Sequence, residues 1–374
     1  MSSIEKFLTS QINKLKDNHL FRTLSANSDL VDFSSNDYLG FSRSNLLKNA
    51  IEEELAKQAS WMIGSTGSRL ISGNTQYAID LENDLAKFHN AEAGLLFNSG
   101  YDANLGIFSC LPQKGDTIIL DEKIHACIID GSRLSYANRY KFRHNDLGSL
   151  EQKLKIAKGN IFIGIESVYS MDGDSPDLVG MVELAEKYEA NIVIDEAHGA
   201  GVFGPNGKGL VSELGLEKKI FARIHTFGKA IGAHGAIAMG SKALRDFLIN
   251  HSRSFIYTTA APFHSLAAIK LAYKELNKQP QLQTDLQNKI LLFKSNLVKN
   301  NRLIESYSPI QSVVFSGNEN VLKVYEALKN KGFNVGAVRS PTVAKGMERI
   351  RVCLHLFNSD DEIYRLVNEF NQYL

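Results

Sequence analysis

The sequence predicts an α/β protein: a large domain built on a mostly parallel sheet between helices, followed by a smaller C-terminal α/β domain. Three observations predict it. Short runs of branched apolar residues alternate with amphipathic stretches from about residue 95 to 240, the rhythm of right-handed βαβ units. These runs end in polar or glycine-rich turns, where open sheets keep their ligands. Beyond about residue 300 the strands become shorter and are set apart by two helical patterns, as in a separate small sheet. The chain accordingly divides into an N-terminal helix and arm over residues 1–44, a large domain over 45–285 and a small domain over 286–374.

The elements follow in order. Ile4, Phe7, Leu8, Ile12 and Leu15 recur at helical spacing, so the first helix has an apolar stripe to cover. Packing on the body of its own chain is the expectation, with a second subunit as the alternative. A short strand at Val31 runs into an Asn-Asp-Gly turn. A helix is expected over about residues 45–59. The loop Gly64-Ser-Thr-Gly-Ser-Arg69 to Asn74 is long for a compact domain, which points to a functional loop. Thr75 is placed to cap a helix bearing Tyr77, Leu81 and Leu85. Strands are expected at Leu95–Phe97, Thr117–Leu120, Ile161–Glu166 and Ile192–Asp195, with a helix over about 177–189. Helical patterns, one of them long, fill about 242–300. In the last part, Ile310–Phe315, Asn334–Gly336 and Arg349–Leu354 read as strands, with helices over about 319–331 and 360–373.

Composition narrows the function. Forty-two basic and 41 acidic residues leave a formal charge of +1, so no nucleic-acid or anionic-membrane partner is expected. No apolar run is long enough for a membrane span. Cys110, Cys127 and Cys353 have no metal-like spacing and suggest a reducing, cytoplasmic setting.

The chemistry concentrates in two stretches. Asp195, Glu196 and His198 end a buried strand. Lys229 lies between Gly228 and Ala230 in an apolar segment after Thr226, a setting that desolvates an amine and makes it a nucleophile. Asp195 and His198 lack further ligands for a metal site, so none is expected. No Gly-x-Ser-x-Gly elbow supports a hydrolase triad, and no Gly-x-Gly-x-x-Gly follows an early strand. An amine, a buried carboxylate, a histidine and a βα turn at Asn98-Ser-Gly-Tyr101 meet the needs of pyridoxal 5′-phosphate. The lysine joins its aldehyde, the carboxylate keeps its pyridine nitrogen protonated, and a helix N-terminus holds its phosphate. Glu196 faces the other side of the strand and Cys127 has no evident base.

The motifs Asn36-Asp-Tyr-Leu-Gly40, Gly64-Ser-Thr-Gly-Ser-Arg69, Asn98-Ser-Gly-Tyr101, His125, Ser170-Met-Asp-Gly173, Asp195-Glu-Ala-His-Gly199, Thr226-Phe-Gly-Lys229, Tyr257-Thr-Thr259 and Pro341-Thr342 occur in one order. That ordered set resembles the α-oxoamine synthases, fold-type I pyridoxal-phosphate enzymes, over about residues 20–355. The nearest branch condenses L-alanine with a pimeloyl thioester in biotin synthesis. Sister branches use glycine or serine with another acyl group, and a non-catalytic scaffold is the remote alternative. The resemblance implies that Lys229 binds the cofactor and acts as base, that Asp195 pairs with the pyridine nitrogen, and that His198 meets the ring oxygen. It implies that His125 stacks on the ring and that Gly100, Tyr101, Ser170, Thr226 and Thr259 contact the cofactor, Thr259 from a neighbouring subunit. It makes Arg351 the grip on the amino-acid carboxylate, and Arg22 and Thr342 contacts of the acyl group. It further implies a homodimer with a shared active site and an acyl donor carried by coenzyme A or an acyl carrier protein. The chain departs from the pattern at Cys127, His234, Ser340 and Ala344.

Overall fold

The computed structural model describes residues 1–24, 29–58 and 61–374. It divides into two compact units, one of residues 36–170 and 175–285, the other of residues 1–35, 171–174 and 286–374.

The larger unit is built on a seven-stranded sheet. Its strands are β1 (Ala93–Phe97), β2 (Thr117–Asp121), β3 (Asn138–Phe142), β4 (Ile161–Glu166), β5 (Asn191–Asp195), β6 (Ala222–Thr226) and β7 (Ala236–Gly240), in the order β1-β7-β6-β5-β4-β2-β3. The pairs β3–β2, β2–β4, β4–β5 and β5–β6 are parallel, and β7 alone runs against its neighbours β6 and β1. The central strands are buried along almost their whole length, with Asn191 and Thr226 half-buried at the ends. Every residue of β4 is inside, the pattern of a parallel sheet covered on both faces. One face packs Ile107, Phe108, Ile128 and Phe255 against the sheet, and the other packs Leu150, Leu178, Met181 and Val211. Gly164 of β4 is required by this packing, because a Cβ there would lie 2.5 Å from Leu120 Cδ2 and 2.9 Å from the Phe108 ring.

Parallel strands bring their carboxyl ends to one edge of the sheet. Glu166 and Asp195 face each other in register, and Asp195 faces Ile224 of β6. The strand β1 leads through the cap residue Ser99 into the helix Gly100–Cys110, whose Asp102 N–H is taken by the Ser99 hydroxyl at 3.1 Å. Thr75 caps Gln76–Phe88 in the same manner, as its position predicts.

The smaller unit has an antiparallel sheet of β8 (Ile310–Val314), β9 (Gly336–Val338) and β10 (Arg349–Cys353), with β10 in the middle. Val31–Asp32 adds a parallel bridge to Phe333–Asn334. The helices Asn318–Asn330 and Asp360–Asn371 lie where the periodicity predicts them, and the second starts with a capping box of Ser359 and Glu362. Its buried stripe is Ile363, Leu366, Val367 and Phe370. In β10 the two-residue period sets Ile350 and Val352 on one face and Arg349, Arg351 and Cys353 on the other.

Some expectations need correction. The helix Asn45–Ala56 ends short of residue 59, which lies outside the described residues. The expected long helix is divided into Phe263–Lys278 and Leu282–Asn296, because Pro280 lacks an N–H and disfavours helix in the residue before it. The first helix, Ser3–Asp17, buries none of its residues. Ile4, Phe7 and Leu8 remain more than half exposed, so its own chain does not cover the stripe. Among the described residues no helix is long and apolar enough to cross a membrane.

Candidate active site

The carboxyl edge of the large sheet gathers Asp195, His198 and Lys229. Asp195 ends β5, and its carboxylate is buried. Its Oδ1 accepts the Ala197 N–H at 2.8 Å, and its Oδ2 accepts Asn104 Nδ2–H at 2.6 Å. His198 follows in the turn that leaves β5, also buried. Lys229 lies in the turn after β6, beside the buried Phe227, Ala230 and Ile231. Its Nζ is 2.8 Å from His198 Nε2, and His198 Nδ1 is 2.7 Å from the hydroxyl of Tyr38. Tyr38 donates in turn to Asn36 Oδ1 at 3.2 Å. One polarity satisfies the whole chain: Lys229 donates to Nε2, Nδ1–H donates to Tyr38, and Tyr38 donates to Asn36.

His125 lies beyond the end of β2 and caps the helix Ala126–Leu134, its Nδ1 accepting the Cys127 N–H at 3.3 Å. The Cys127 thiol is 2.9 Å from the same nitrogen, so Cys127, which by sequence has no partner, has one in the fold. Partial desolvation holds His125 below the usual imidazole range, against the pull of the Asp195 charge. Burial pushes the Cys127 thiol up. Glu166, at the end of β4, accepts the His125 backbone N–H at 2.7 Å. Burial, and then the charge of Asp195, push its carboxyl up to about 8, while Lys229 pulls the other way.

Glu166 therefore makes stability fall with pH. The folded chain keeps a proton on Glu166 up to about 8, whereas the unfolded chain loses it near the ordinary value of 4.5. The stabilisation is fully present below the unfolded value and is lost as pH rises through the folded one. Thermal unfolding of Glu166→Gln, compared with the parent from pH 4.5 to 8.5, should show the parent losing ground steadily. Parallel curves would refute the assignment. Glu196, raised to about 7 by burial, is common to both proteins and cancels in the difference.

Thr226 ends β6, and its Oγ1 donates to the Gly235 carbonyl at 3.3 Å. Gly100 opens the helix Gly100–Cys110, and a Cβ on it would come within 3.2 Å of Thr226 Oγ1. The bare backbone keeps this helix N-terminus beside the threonine. Tyr101 is turned outward, and its hydroxyl donates to Asp130 at 2.5 Å. Ser170 lies part-buried in the turns that follow β4. Asn98 Nδ2 donates to Thr258 Oγ1 at 2.9 Å and to the Thr259 carbonyl at 2.8 Å, which leaves the exposed Thr259 side chain facing outward.

Three predicted residues belong to the smaller unit. Arg22 Nη2 donates to Thr342 Oγ1 at 3.3 Å, so the fold brings these two together. They border a cleft of about 1090 Å³ with Phe21, Leu322, Val338 and Arg339 in its wall. Burial and the adjacent Arg22 charge lower the Arg339 guanidinium. Arg351 is buried on β10, opposite Ser312 and Gly336.

The residues that sequence reasoning missed are Asn104, Tyr38 and Glu166. Asn104 and Tyr38 stand in stretches already marked by their turns, but the residue types alone carry no sign of a bond to Asp195 or His198. Glu196 finds its partners away from the site, with Oε1 taking the Val211 N–H at 2.8 Å and Oε2 lying 3.1 Å from His225 Nε2.

The profile of the aminotransferase class I and II family matches residues 28–370. The chain belongs to the aminotransferase class I and II family. An 8-amino-7-oxononanoate synthase of Emericella nidulans is 43% identical over 371 residues, covering 93% of this chain and 90% of that protein. The 8-amino-7-oxononanoate synthase 2 of Bacillus subtilis is 35% identical over 383 residues, covering 98% and 97%. Among solved structures, a serine palmitoyltransferase of Sphingomonas wittichii superposes with a TM-score of 0.89 at 26% identity, covering 100% of this chain and 97% of that one. An 8-amino-7-oxononanoate synthase of Francisella tularensis does so with a TM-score of 0.76 at 30% identity, covering 92% and 97%. The expected fold-type I architecture is thereby established. The cofactor of this branch of the aminotransferase class I and II family is pyridoxal phosphate. The residues present fit it: an amine in Lys229, a carboxylate in Asp195 held by two N–H donors, and an open helix N-terminus at Gly100 beside a hydroxyl.

Proposed function

We propose that this chain catalyses the decarboxylative condensation of L-alanine with a pimeloyl thioester. The products are 8-amino-7-oxononanoate, carbon dioxide and the free thiol, a step in biotin biosynthesis. The observation that carries this reading is the 43% identity to an 8-amino-7-oxononanoate synthase over 93% of the chain. The Lys229, His198 and Asp195 cluster supplies the chemistry.

When bound, pyridoxal phosphate supplies an electron sink that stabilises negative charge at the alanine α-carbon. Asp195 would keep the pyridine nitrogen of the bound cofactor protonated. His198 holds Lys229 in place; with the cofactor bound it would meet the ring oxygen, and His125 would cover one ring face. Ser170 and Thr226 would contact the bound cofactor, and the turn at Gly100 and Tyr101 would lie beside it. Lys229 Nζ takes the α-proton of alanine and, after carbon dioxide has left, returns a proton to the same carbon. Arg351 grips the alanine carboxylate as a bidentate pair. Arg22 and Thr342 bind the acyl group in the cleft they border. Two chains share the site, Thr259 of one reaching the phosphate held by the other. The exposed stripe of Ile4, Phe7 and Leu8 supports a second copy as its cover. The acyl donor is a coenzyme A or carrier-protein thioester, and the setting is cytoplasmic.

A second reading, a serine-using synthase, is favoured by the TM-score of 0.89 to the serine palmitoyltransferase. Alanine, glycine and serine in heavy water separate the two. Alanine is expected to exchange its α-proton fastest, and its mixture with pimeloyl-coenzyme A should release thiol and carbon dioxide in equal amounts. Exchange confined to serine or glycine would overturn the alanine assignment. Arg22→Ala is expected to raise KM for the pimeloyl thioester by about tenfold or more, with little change in kcat, as one charge-assisted contact is lost. Steady-state kinetics checks this, and an unchanged KM would remove Arg22 from the acyl site.

A further inference from the structure

Asn104 is fully buried, on the helix Gly100–Cys110. Its amide nitrogen donates in two directions. One N–H reaches Asp195 Oδ2 at 2.6 Å, and the other reaches the Gly100 carbonyl at 3.0 Å. Its Oδ1 is buried and has no hydrogen-bond partner among the described residues. A buried amide with an unsatisfied oxygen is costly, and an apolar residue of the same size would avoid that cost. The amide is therefore explained by what its nitrogen does.

We infer that Asn104 is a positioning residue that fixes the direction of the Asp195 carboxylate and ties it to the helix N-terminus at Gly100. This rests on the proposed role of Asp195 toward the pyridine nitrogen. Each carboxylate oxygen accepts one N–H, Oδ1 from Ala197 and Oδ2 from Asn104, so rotation about the last side-chain bond is blocked. The carboxylate is then held in one orientation. Because the same NH₂ group holds the Gly100 carbonyl, the carboxylate and the phosphate-facing turn are held to one another. Asparagine alone suits the position. Aspartate would set a second carboxylate against a buried one, leucine would fill the space and release Asp195, and glutamine would carry its amide one methylene too far.

A double-mutant cycle tests this. The full-length protein, stripped of cofactor, is titrated with pyridoxal phosphate as the parent, Asn104→Leu, Asp195→Asn and the double variant. The readouts are the dissociation constant and the pH midpoint of the bound cofactor's absorbance. Asn104→Leu is expected to weaken binding about tenfold and to shift the midpoint by about half a pH unit or more, as coupling of residues in contact allows. In the Asp195→Asn background the same change is expected to have less than about a twofold effect and no shift, since no carboxylate charge remains for Asn104 to aim. Equal losses in both backgrounds would overturn the inference and leave Asn104 a packing residue. Should circular dichroism show Asn104→Leu unfolded, Asn104→Ser gives the same cycle without the bulk. A parent chain that takes up no pyridoxal phosphate would overturn the proposed function, and this inference with it.

Discussion

Lys229→Ala is expected to give a folded protein that still takes up pyridoxal phosphate and forms product at least about 10⁴-fold more slowly, the scale on which a positioned base and nucleophile contribute. The fold should survive. The turn around Lys229 is held by the buried Phe227, Ala230 and Ile231 and by backbone bonds from Gly232 N to the Lys229 carbonyl and from Ala233 N to the Phe227 carbonyl. None of these needs the amine. Borohydride reduction followed by mass measurement should find the cofactor joined to the parent and absent from the variant. Product formation within about tenfold of the parent would show that another group serves as base.

The second large effect is expected at Asp195. Asp195→Asn keeps the shape of the side chain and removes its charge. The amide oxygen can still accept one of the two N–H donors, from Ala197 or Asn104, so folding should change little. What is lost is the electrostatic hold on a protonated ring nitrogen at a buried site, where charge acts most strongly. We expect turnover and alanine α-proton exchange to fall together by about a thousandfold, the scale of losing one preorganised electrostatic partner. Exchange within about threefold of the parent would remove Asp195 from the chemistry. Asp195→Glu is the informative companion, since it keeps the charge but displaces it by a methylene. A fall close to that of asparagine would show that direction matters as much as charge, which is the property attributed to Asn104.

Much of this was legible in the chain. Branched apolar runs such as Ile161–Glu166 and Asn191–Asp195 need a covered parallel sheet, because residues buried on both faces cannot sit at a surface. Their carboxyl ends had to carry the polar groups, and an isolated lysine among small residues marked the amine. The long loop around Ser65 and the turn at Ser99 were also visible as loops. Less legible was β7, whose short run Ala236–Gly240 has Ile237 as its one branched residue and which reverses the sheet's direction.

The sequence by itself determined the alternation of strands and helices, the strand ends at Asp195 and Thr226, and the ordered motifs that mark the family. These are local properties, set by side-chain periodicity and by turn chemistry within a few residues. The tertiary structure alone decided that Asn104 meets Asp195 across 91 positions, that Tyr38 meets His198 across 160, and that Glu166 is buried against the His125 backbone N–H. It also decided that the first helix leaves its apolar stripe uncovered by its own chain. Hydrogen-bond partners and loss of water depend on which distant segments are folded together. No spacing along the chain encodes that directly.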